Sequence, residues 1–366
     1  MKSSKHFIYV TKSQMPDRQR FHEYVDQILD SGWLTNHGQC VRELEVKLQE
    51  YLGVRNVVLV NNATSGLQVA YKALGLQGEV ITTPFSFIAT ASSAKWEGLD
   101  VVFADIDPQT FNIDVAEIER NITDRTTAIV PVHVFGNPCD VEAIDALAEF
   151  RNLKVIYDAA HAFEVRYRGE SILNRGDIST LSFHATKLFH TIEGGALIIN
   201  DDALCEQARK MINFGITGPE SIECLGINAK MNEFQAVMGL CLLDEMDAVI
   251  ARRAKLAAIY DSILQEAVVK QKWREGANCN HGYYPVLFKD EATTKRIQAA
   301  LNKKDIYPRR YFYPSLDTLD FIAQGQAAPA SRDIASRILC LPLYDGLTED
   351  ECCMITGIVL DALGEK

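Results

Sequence analysis

The sequence contains no apolar run as long as the roughly 20 residues that a membrane-spanning helix needs. Its opening residues, MKSSKHFIYV, lack the apolar core of a secretory signal peptide. The nine cysteines are odd in number and scattered, and no two form a CxxC pair, so a disulfide framework is not indicated. We therefore expect reduced thiols, no membrane insertion and a cytoplasmic location.

Positive charge is also scarce. The chain has 37 Lys and Arg residues against 49 Asp and Glu residues, and its net charge of −12 argues against nucleic acid or an anionic membrane as a partner. The spacing of His184 and His190 does not indicate a metal site, and no second ligand cluster supports one, so we expect no metal. Internal repeats, low-complexity tracts and proline-rich linkers are missing as well, which excludes a tandem array and leaves any domain boundary soft.

What the sequence does contain is an alternation of short apolar runs with helical patterns. At 366 residues the chain is too long for one ordinary core, so we expect about two domains. Strand-like runs such as residues 56–60 and 154–157 alternate with helical segments such as residues 42–51, which predicts an α/β fold with a mostly parallel sheet. A helical pattern over residues 232–267 leads out of this region. We therefore predict a large domain over residues 1–250 and a smaller α+β domain over 251–366.

Two charged side chains carry most of the functional signal. Asp158 ends the apolar run VIY, and Lys187 lies 29 positions later, after a second short strand and before Gly194 and Gly195. Strand ends of a parallel sheet meet at one edge, where ligands bind. An Asp and a Lys there suit pyridoxal phosphate, since the amine forms a Schiff base with the aldehyde and the carboxylate keeps the pyridine nitrogen protonated. Taken alone, each residue is more often a helix-capping Asp or a surface Lys.

The sequence motifs around Asp158 and Lys187 favour the cofactor site over these simpler interpretations. In this order, DAAHA, SFHATK, EGG and GINAKMNEFQAVMG resemble the sugar-nucleotide aminotransferases of the DegT type, from about Trp33 to Leu343. The resemblance implies the pyridoxal-phosphate-dependent fold type I, an aspartate-aminotransferase-like homodimer. It also implies a ping-pong transamination in which Lys187 holds the cofactor and, once displaced, moves the proton, while Asp158 supports the ring.

A strand–helix junction supplies the expected phosphate site. The N–H groups of Ala63 and Thr64 can face a phosphate there, although such a Thr is often only a helix cap. The family usually has Gly at the position of Ala63, whose N–H serves as well if the backbone does not need a positive φ. By resemblance, Ser182 also binds the phosphate, and Asn228 binds that of the neighbouring subunit, so each active site would need both chains.

The same resemblance assigns the contacts to the cofactor ring. Phe87 matches the aromatic residue that stacks on the pyridine face, with plain core packing as the alternative. His161 matches the position, His or Gln, that approaches the phenolic oxygen. Together with Asp158 and Lys187, these residues complete the expected cofactor-binding set.

Finer detail bears on the substrate. WLTNHG and SFHATKLFHTIEGG resemble family members that use glutamate to aminate C4 of dTDP-4-dehydro-6-deoxy-D-glucose, giving dTDP-4-amino-4,6-dideoxy-D-glucose for O-antigen or other surface glycans. Amination at C3 and a UDP-linked sugar are the alternatives within the family. Glu193 and the stretch PRRYFYP, with Arg309, Arg310 and Tyr311, are the candidate substrate-binding residues, although the two arginines could equally form a solvated turn.

Two other classes of protein remain as alternatives. A non-catalytic pyridoxal-phosphate-binding regulator is disfavoured, because every catalytic position is filled and the sequence shows no DNA-binding module. A plain α/β binding protein is disfavoured by the number and order of the motifs.

Overall fold

The computed structural model describes residues 7–322 and 325–364. Residues 1–6 lie outside the described residues. They belong to the opening segment for which the sequence predicts no signal peptide. The described helices are α1 (Arg18–Ser31), α2 (Gln39–Leu52), α3 (Ala63–Ala73), α4 (Ile88–Trp96), α5 (Val115–Asn121), α6 (Val141–Arg151), α7 (Asp202–Met211), α8 (Glu233–Leu243), α9 (Met246–Leu264), α10 (Glu291–Asn302), α11 (Pro329–Arg337) and α12 (Glu349–Leu363).

The described strands are shorter and more numerous than the helices. They are β1 (Ile8–Tyr9), β2 (Val57–Val60), β3 (Glu79–Thr82), β4 (Asp100–Phe103), β5 (Thr126–Val130), β6 (Lys154–Asp158), β7 (Arg166–Tyr167), β8 (Glu170–Ser171), β9 (Ile178–Ser182), β10 (Gly195–Ile199), β11 (Ile216–Gly218), β12 (Ser221–Ile222), β13 (Tyr284–Leu287), β14 (Ile306–Tyr307) and β15 (Ile338–Leu341).

Seven of these strands form one central sheet in the order β2-β10-β9-β6-β5-β3-β4. Only β10 runs antiparallel to its two neighbours; the other pairings are parallel. Side chains alternate between the faces, so Val57 and Leu59 pack into one hydrophobic cluster while Val58 and Val60 pack into the other. Burial on both faces explains why the strands read as continuous apolar runs, and it confirms the predicted α/β fold with a mostly parallel sheet.

The topology brings the ends of three strands to one edge of the sheet. Asp158 ends β6, Ser182 ends the neighbouring β9, and β2 runs in the same direction as β9 because both are antiparallel to β10. The chain leaves β2 and begins α3 at Ala63, so the start of this helix reaches the same edge. Residues as far apart in the sequence as Ala63 and Ser182 therefore meet there.

The long helical pattern over residues 232–267 is not one helix, which corrects that prediction. Helix α8 ends at Leu243, and α9 begins at Met246 after two residues that leave the helical hydrogen-bond pattern. Nearly all of α8 is buried, and it packs against α1 and α2, whereas α9 packs against α12. Helical spacing continues on both sides of the break because each half is regular by itself, so the pattern alone does not show where one helix ends.

The C-terminal part of the chain has its own hydrophobic cluster. This cluster spans Leu256 to Val359 and also includes Ile8, because β1 pairs in parallel with β14. The division at residue 250 stays a prediction. Among the described residues, no helix combines the length and apolar character that crossing a membrane requires.

Candidate active site

A cavity of about 280 Å³ opens at the carboxyl edge of the sheet. It collects side chains from β6, β9, the start of α3, the loop before α4 and the C-terminal part of the chain. Among the predicted site residues, it is lined by Ala63, Thr64, Phe87, Asp158, His161, Ser182, Lys187, Glu193, Arg309 and Tyr311.

The carboxylate of Asp158 lies at the floor of this cavity and is only 7% exposed. Its Oδ2 accepts a hydrogen bond of 2.6 Å from the hydroxyl of Thr90, and its Oδ1 accepts one of 3.1 Å from the N–H of Ala160. The Thr90 hydroxyl is in turn within 2.7 Å of the Ser86 hydroxyl. Burial raises the pKa of Asp158, whereas these hydrogen bonds and the charge of Lys187 oppose the rise.

Lys187 reaches the cavity from the turn that follows β9. The backbone N–H of Lys187 donates to the carbonyl of His184 (2.8 Å), which closes this turn. The Phe183 N–H donates to the carbonyl of Gly194 (2.9 Å), so the loop returns to the start of β10. Burial lowers the pKa of the amine to about 8, the charge of Asp158 opposes this, and Arg309 adds to it. A lysine with such a pKa can lose its proton near neutral pH, as a nucleophile or a base must.

The first turn of α3 forms the opposite end of the cavity. The side chain of Asn62 caps the helix by accepting from the N–H of Ser65 (2.9 Å), while the preceding N–H groups have no acceptor within the helix. Ala63 does not have a positive φ, so its replacement of the usual Gly causes no backbone strain. A Cβ on Gly195 would lie 2.9 Å from the nitrogen of Ala63, which explains why β10 begins with glycine.

His161 packs against the rings of Phe135, Tyr283 and Phe312, and its proton lies on one of the two ring nitrogens. The N–H of Phe135 donates to its Nδ1 (3.2 Å), so the neutral ring carries its proton on Nε2. Burial lowers the pKa of His161 well below the usual value, and the charge of Lys187 adds to this. The ring therefore stays neutral and can donate a hydrogen bond from Nε2. Phe87, by contrast, leaves 53% of its surface exposed at the cavity, where a planar ligand could cover it.

The structure separates the two neighbouring arginines. Arg309 lines the cavity with Tyr311, and its guanidinium lies 4.6 Å from the centre of the Tyr311 ring. Arg310 does not line it: the guanidinium of Arg310 binds Glu291 (2.9 Å) and the carbonyl of Ser336 (2.7 Å) and is only 10% exposed. Glu193 lies at the rim, 3.7 Å from His184. Arg309, rather than Arg310, is thus the arginine that a ligand in the cavity would contact.

Asn228 lies outside the cavity of its own chain. It is exposed on the surface, and its carbonyl accepts a hydrogen bond from the side chain of Asn61 (3.3 Å), next to the start of α3. The contact with a phosphate across a dimer stays a prediction.

Sequence reasoning missed two residues of this site. Thr90, which holds Asp158, lies four positions after Ser86, and that helical spacing could have indicated a shared face. Tyr283, whose hydroxyl lies 3.3 Å from the Nζ of Lys187, is 96 positions away from it, and no local pattern connects the two.

The donor set fits pyridoxal phosphate. A buried carboxylate suits the pyridine nitrogen, a lysine of lowered pKa suits the aldehyde, and helix N–H groups with the Ser182 hydroxyl suit the phosphate. Among the described residues, no group of three or more His, Cys, Asp and Glu side chains could hold a metal ion.

The fold and this cavity define a pyridoxal-phosphate-dependent aminotransferase of fold type I. In agreement, the structure of DesI with its TDP-sugar product superposes with a TM-score of 0.93 at 36% identity, covering 99% of this chain and 95% of that one. A family model matches residues 16–359, and the chain belongs to the DegT/DnrJ/EryC1/StrS aminotransferase family.

Similar proteins match almost the whole chain. It is 42% identical to a dTDP-4-amino-4,6-dideoxy-D-glucose transaminase of Shigella dysenteriae, over 94% of this chain and 95% of the relative. A GDP-perosamine synthase of Escherichia coli O157:H7 is 32% identical over 94% of this chain and 96% of its own length. The chain is therefore similar to enzymes whose names carry different nucleotides.

Proposed function

We propose that the protein transfers the amino group of glutamate to C4 of dTDP-4-dehydro-6-deoxy-D-glucose and so forms dTDP-4-amino-4,6-dideoxy-D-glucose. The observation that carries this proposal is the 42% identity over nearly the full length to a transaminase named for that product. The similarity to DesI, solved with a TDP-sugar product, supports the same nucleotide. Its product would serve the synthesis of O-antigen or another surface glycan.

When bound, pyridoxal phosphate supplies an aldehyde that takes up the amino group and a ring that accepts the electron pair left by a departing proton. Asp158 would accept a hydrogen bond from the protonated ring nitrogen and so keep it protonated, and the Thr90 hydroxyl fixes the orientation of this carboxylate. With the cofactor bound, Lys187 would take the proton from the α-carbon of the donor onto Nζ and pass it to the C4′ carbon of the cofactor, since burial lowers the pKa of its amine to about 8. His161 donates from Nε2 and orients the ring.

Arg309 is the proposed contact for the anionic part of each substrate. It lines the cavity beside Tyr311 and supplies a cationic group inside a chain of net charge −12. Asn228 would complete the phosphate site of a second copy, which makes the protein a homodimer with composite active sites. Location in the cytoplasm belongs to the same proposal, and the nine free cysteines agree with it.

The test is a substrate panel. Purified protein is incubated with [15N]glutamate and with 4-keto and 3-keto sugars linked to dTDP, UDP or GDP, and the products are analysed by mass spectrometry and NMR. We expect the label at C4 of the dTDP-linked 4-keto-6-deoxy sugar. Exclusive turnover of a UDP- or GDP-linked sugar, or label at C3, would contradict the proposed substrate. Lys187→Ala is the inactive control, and borohydride should attach the cofactor to Lys187 in the wild type only.

A further inference from the structure

Tyr283 is a buried tyrosine that contacts the reactive lysine. Its hydroxyl lies 3.3 Å from the Nζ of Lys187, and the same nitrogen lies 5.8 Å from the centre of its ring. The ring also contacts His161 (4.5 Å between centres) and Phe135 (5.6 Å). Burial raises the pKa of the Tyr283 hydroxyl far above neutrality, so the oxygen is a protonated acceptor rather than a base.

The segment that carries Tyr283 is fixed at two points. The Asn280 side chain donates to the carbonyls of His161 (2.9 Å) and Phe163 (2.8 Å), and its oxygen accepts from the N–H of Gly282 (3.0 Å). These bonds tie the segment to the loop that follows β6. Because Asn280 is only 1% exposed, breaking them would leave buried polar groups unpaired.

A buried arginine on α9 provides the second point. Arg253 is 5% exposed, and its guanidinium donates to the carbonyls of His281 (2.8 Å) and Gly282 (2.8 Å). No ion pair of Arg253 is found within the described part of the chain. Burying a guanidinium costs free energy. Because Arg253 donates to the two carbonyls directly before Tyr283, we infer that it fixes the position of the Tyr283 backbone.

We propose that the Tyr283 hydroxyl holds the amine of Lys187 in place while the lysine is free of the cofactor and carries the proton, and that Arg253 and Asn280 position Tyr283 for this. The inference rests on the proposed role of Lys187 as the proton carrier and is independent of the sugar. A released lysine side chain has several rotatable bonds, so without an acceptor it would sample many rotamers. The proton would move from the α-carbon of the donor to Nζ of Lys187 and from Nζ to the C4′ carbon of the cofactor. Tyr283 itself neither gains nor loses a proton.

The first experiment compares Tyr283→Phe with Tyr284→Phe. Tyr284 is the next residue, but its hydroxyl donates to Asp261 (2.6 Å), so the control removes the same atom at a position that does not bind Lys187. In the cofactor-free enzyme, the pKa of Lys187 is measured from the pH dependence of its acylation. Because an oxygen acceptor favours the ammonium form, Tyr283→Phe should lower that pKa below the wild-type value, whereas Tyr284→Phe should leave it unchanged.

Kinetics give a second measurement on the same variants. In single turnovers with glutamate deuterated at its α-carbon, Tyr283→Phe should slow the proton transfer roughly three- to tenfold, the effect of one lost hydrogen bond, and should enlarge the isotope effect. Circular dichroism and thermal unfolding verify that the variants fold. An unchanged Lys187 pKa together with an unchanged isotope effect in folded Tyr283→Phe would overturn the proposal.

A double-mutant cycle tests the positioning residues. Arg253→Lys keeps the charge but loses the fork that binds two carbonyls. If Arg253 acts through Tyr283, Arg253→Lys should enlarge the isotope effect by itself but add little in the Tyr283→Phe background. Full additivity would refute the positioning role. Retained transamination in Lys187→Ala would instead refute the proposed proton carrier, so the two failures are distinguishable.

Discussion

Replacing Lys187 by Met should stabilise the cofactor-free protein at neutral pH while abolishing its activity. Burial lowers the pKa of the amine from an ordinary 10.5 to about 8, so the folded state disfavours the ammonium form relative to the unfolded chain. At about 1.4 kcal/mol per pKa unit, the cost of keeping this charge at pH 7 is on the order of 2–3 kcal/mol, with allowance for partial exposure. Met has a similar length and carries no charge.

The pH dependence of the free energy of unfolding shows whether the buried charge of Lys187 causes this difference. Below pH 8 both states bind the proton and the full cost applies. As the pH rises from about 8 to 10.5, the folded protein releases the proton while the unfolded chain still holds it, so the free energy of unfolding of the wild type rises relative to that of the variant. The advantage of Lys187→Met should therefore shrink across this window.

Urea unfolding at matched protein concentrations, in reductant and without cofactor, measures this difference at several pH values from 7 to 10. Lys187→Arg is the control, because a guanidinium keeps its charge over this range. Both variants lack the titrating amine, so the wild type should gain stability against both with the same slope, although only Met is more stable than the wild type at pH 7. A difference between wild type and Lys187→Met that is constant with pH would refute the reasoning.

The remaining predictions concern the groups around the lysine. Asp158→Asn should lose far more rate than cofactor affinity, since an amide cannot hold a full positive charge on the ring nitrogen; a near wild-type kcat would rule out its role. Thr90→Val removes the hydroxyl that opposes the raised pKa of Asp158, so the acid limb of the pH–rate profile should move to higher pH, where an unmoved limb would show that the hydrogen bond does not tune the carboxylate. Asn228→Ala should weaken cofactor binding by about 1–3 kcal/mol. Mixing it with Lys187→Ala should restore activity in heterodimers, and no recovery despite demonstrated subunit exchange would place both residues in one chain.

Much of the fold and the centre of the site could be predicted from the sequence for a physical reason. Strands buried on both faces read as continuous apolar runs, and the residue after such a run must lie at the end of a strand. That rule located Asp158 directly. The break between α8 and α9 could not be predicted, because the two helices pack against different elements and their own periodicity does not show this.

The contacts of the two neighbouring arginines also could not be predicted from the sequence. Arg309 and Arg310 are equivalent in the sequence, yet one reaches the cavity and the other binds Glu291 and the carbonyl of Ser336. Tyr283 was not predicted because its contact with Lys187 arises from packing of the C-terminal part of the chain onto the sheet edge. Contacts of this kind depend on tertiary structure alone, so they leave no spacing signal.

Burial shifts the pKa values of the two charged groups of the site in opposite directions, and the attraction between their charges couples them. It raises the pKa of Asp158 and lowers that of Lys187, while the charge of each favours the charged form of the other. Removing the carboxylate therefore removes a group that supports the ammonium form, so Asp158→Asn should lower the pKa of Lys187 further in the cofactor-free enzyme. The cost of burying the ammonium group lowers the pKa of Lys187 to about 8, which keeps the amine close to the pH at which it gains and loses a proton.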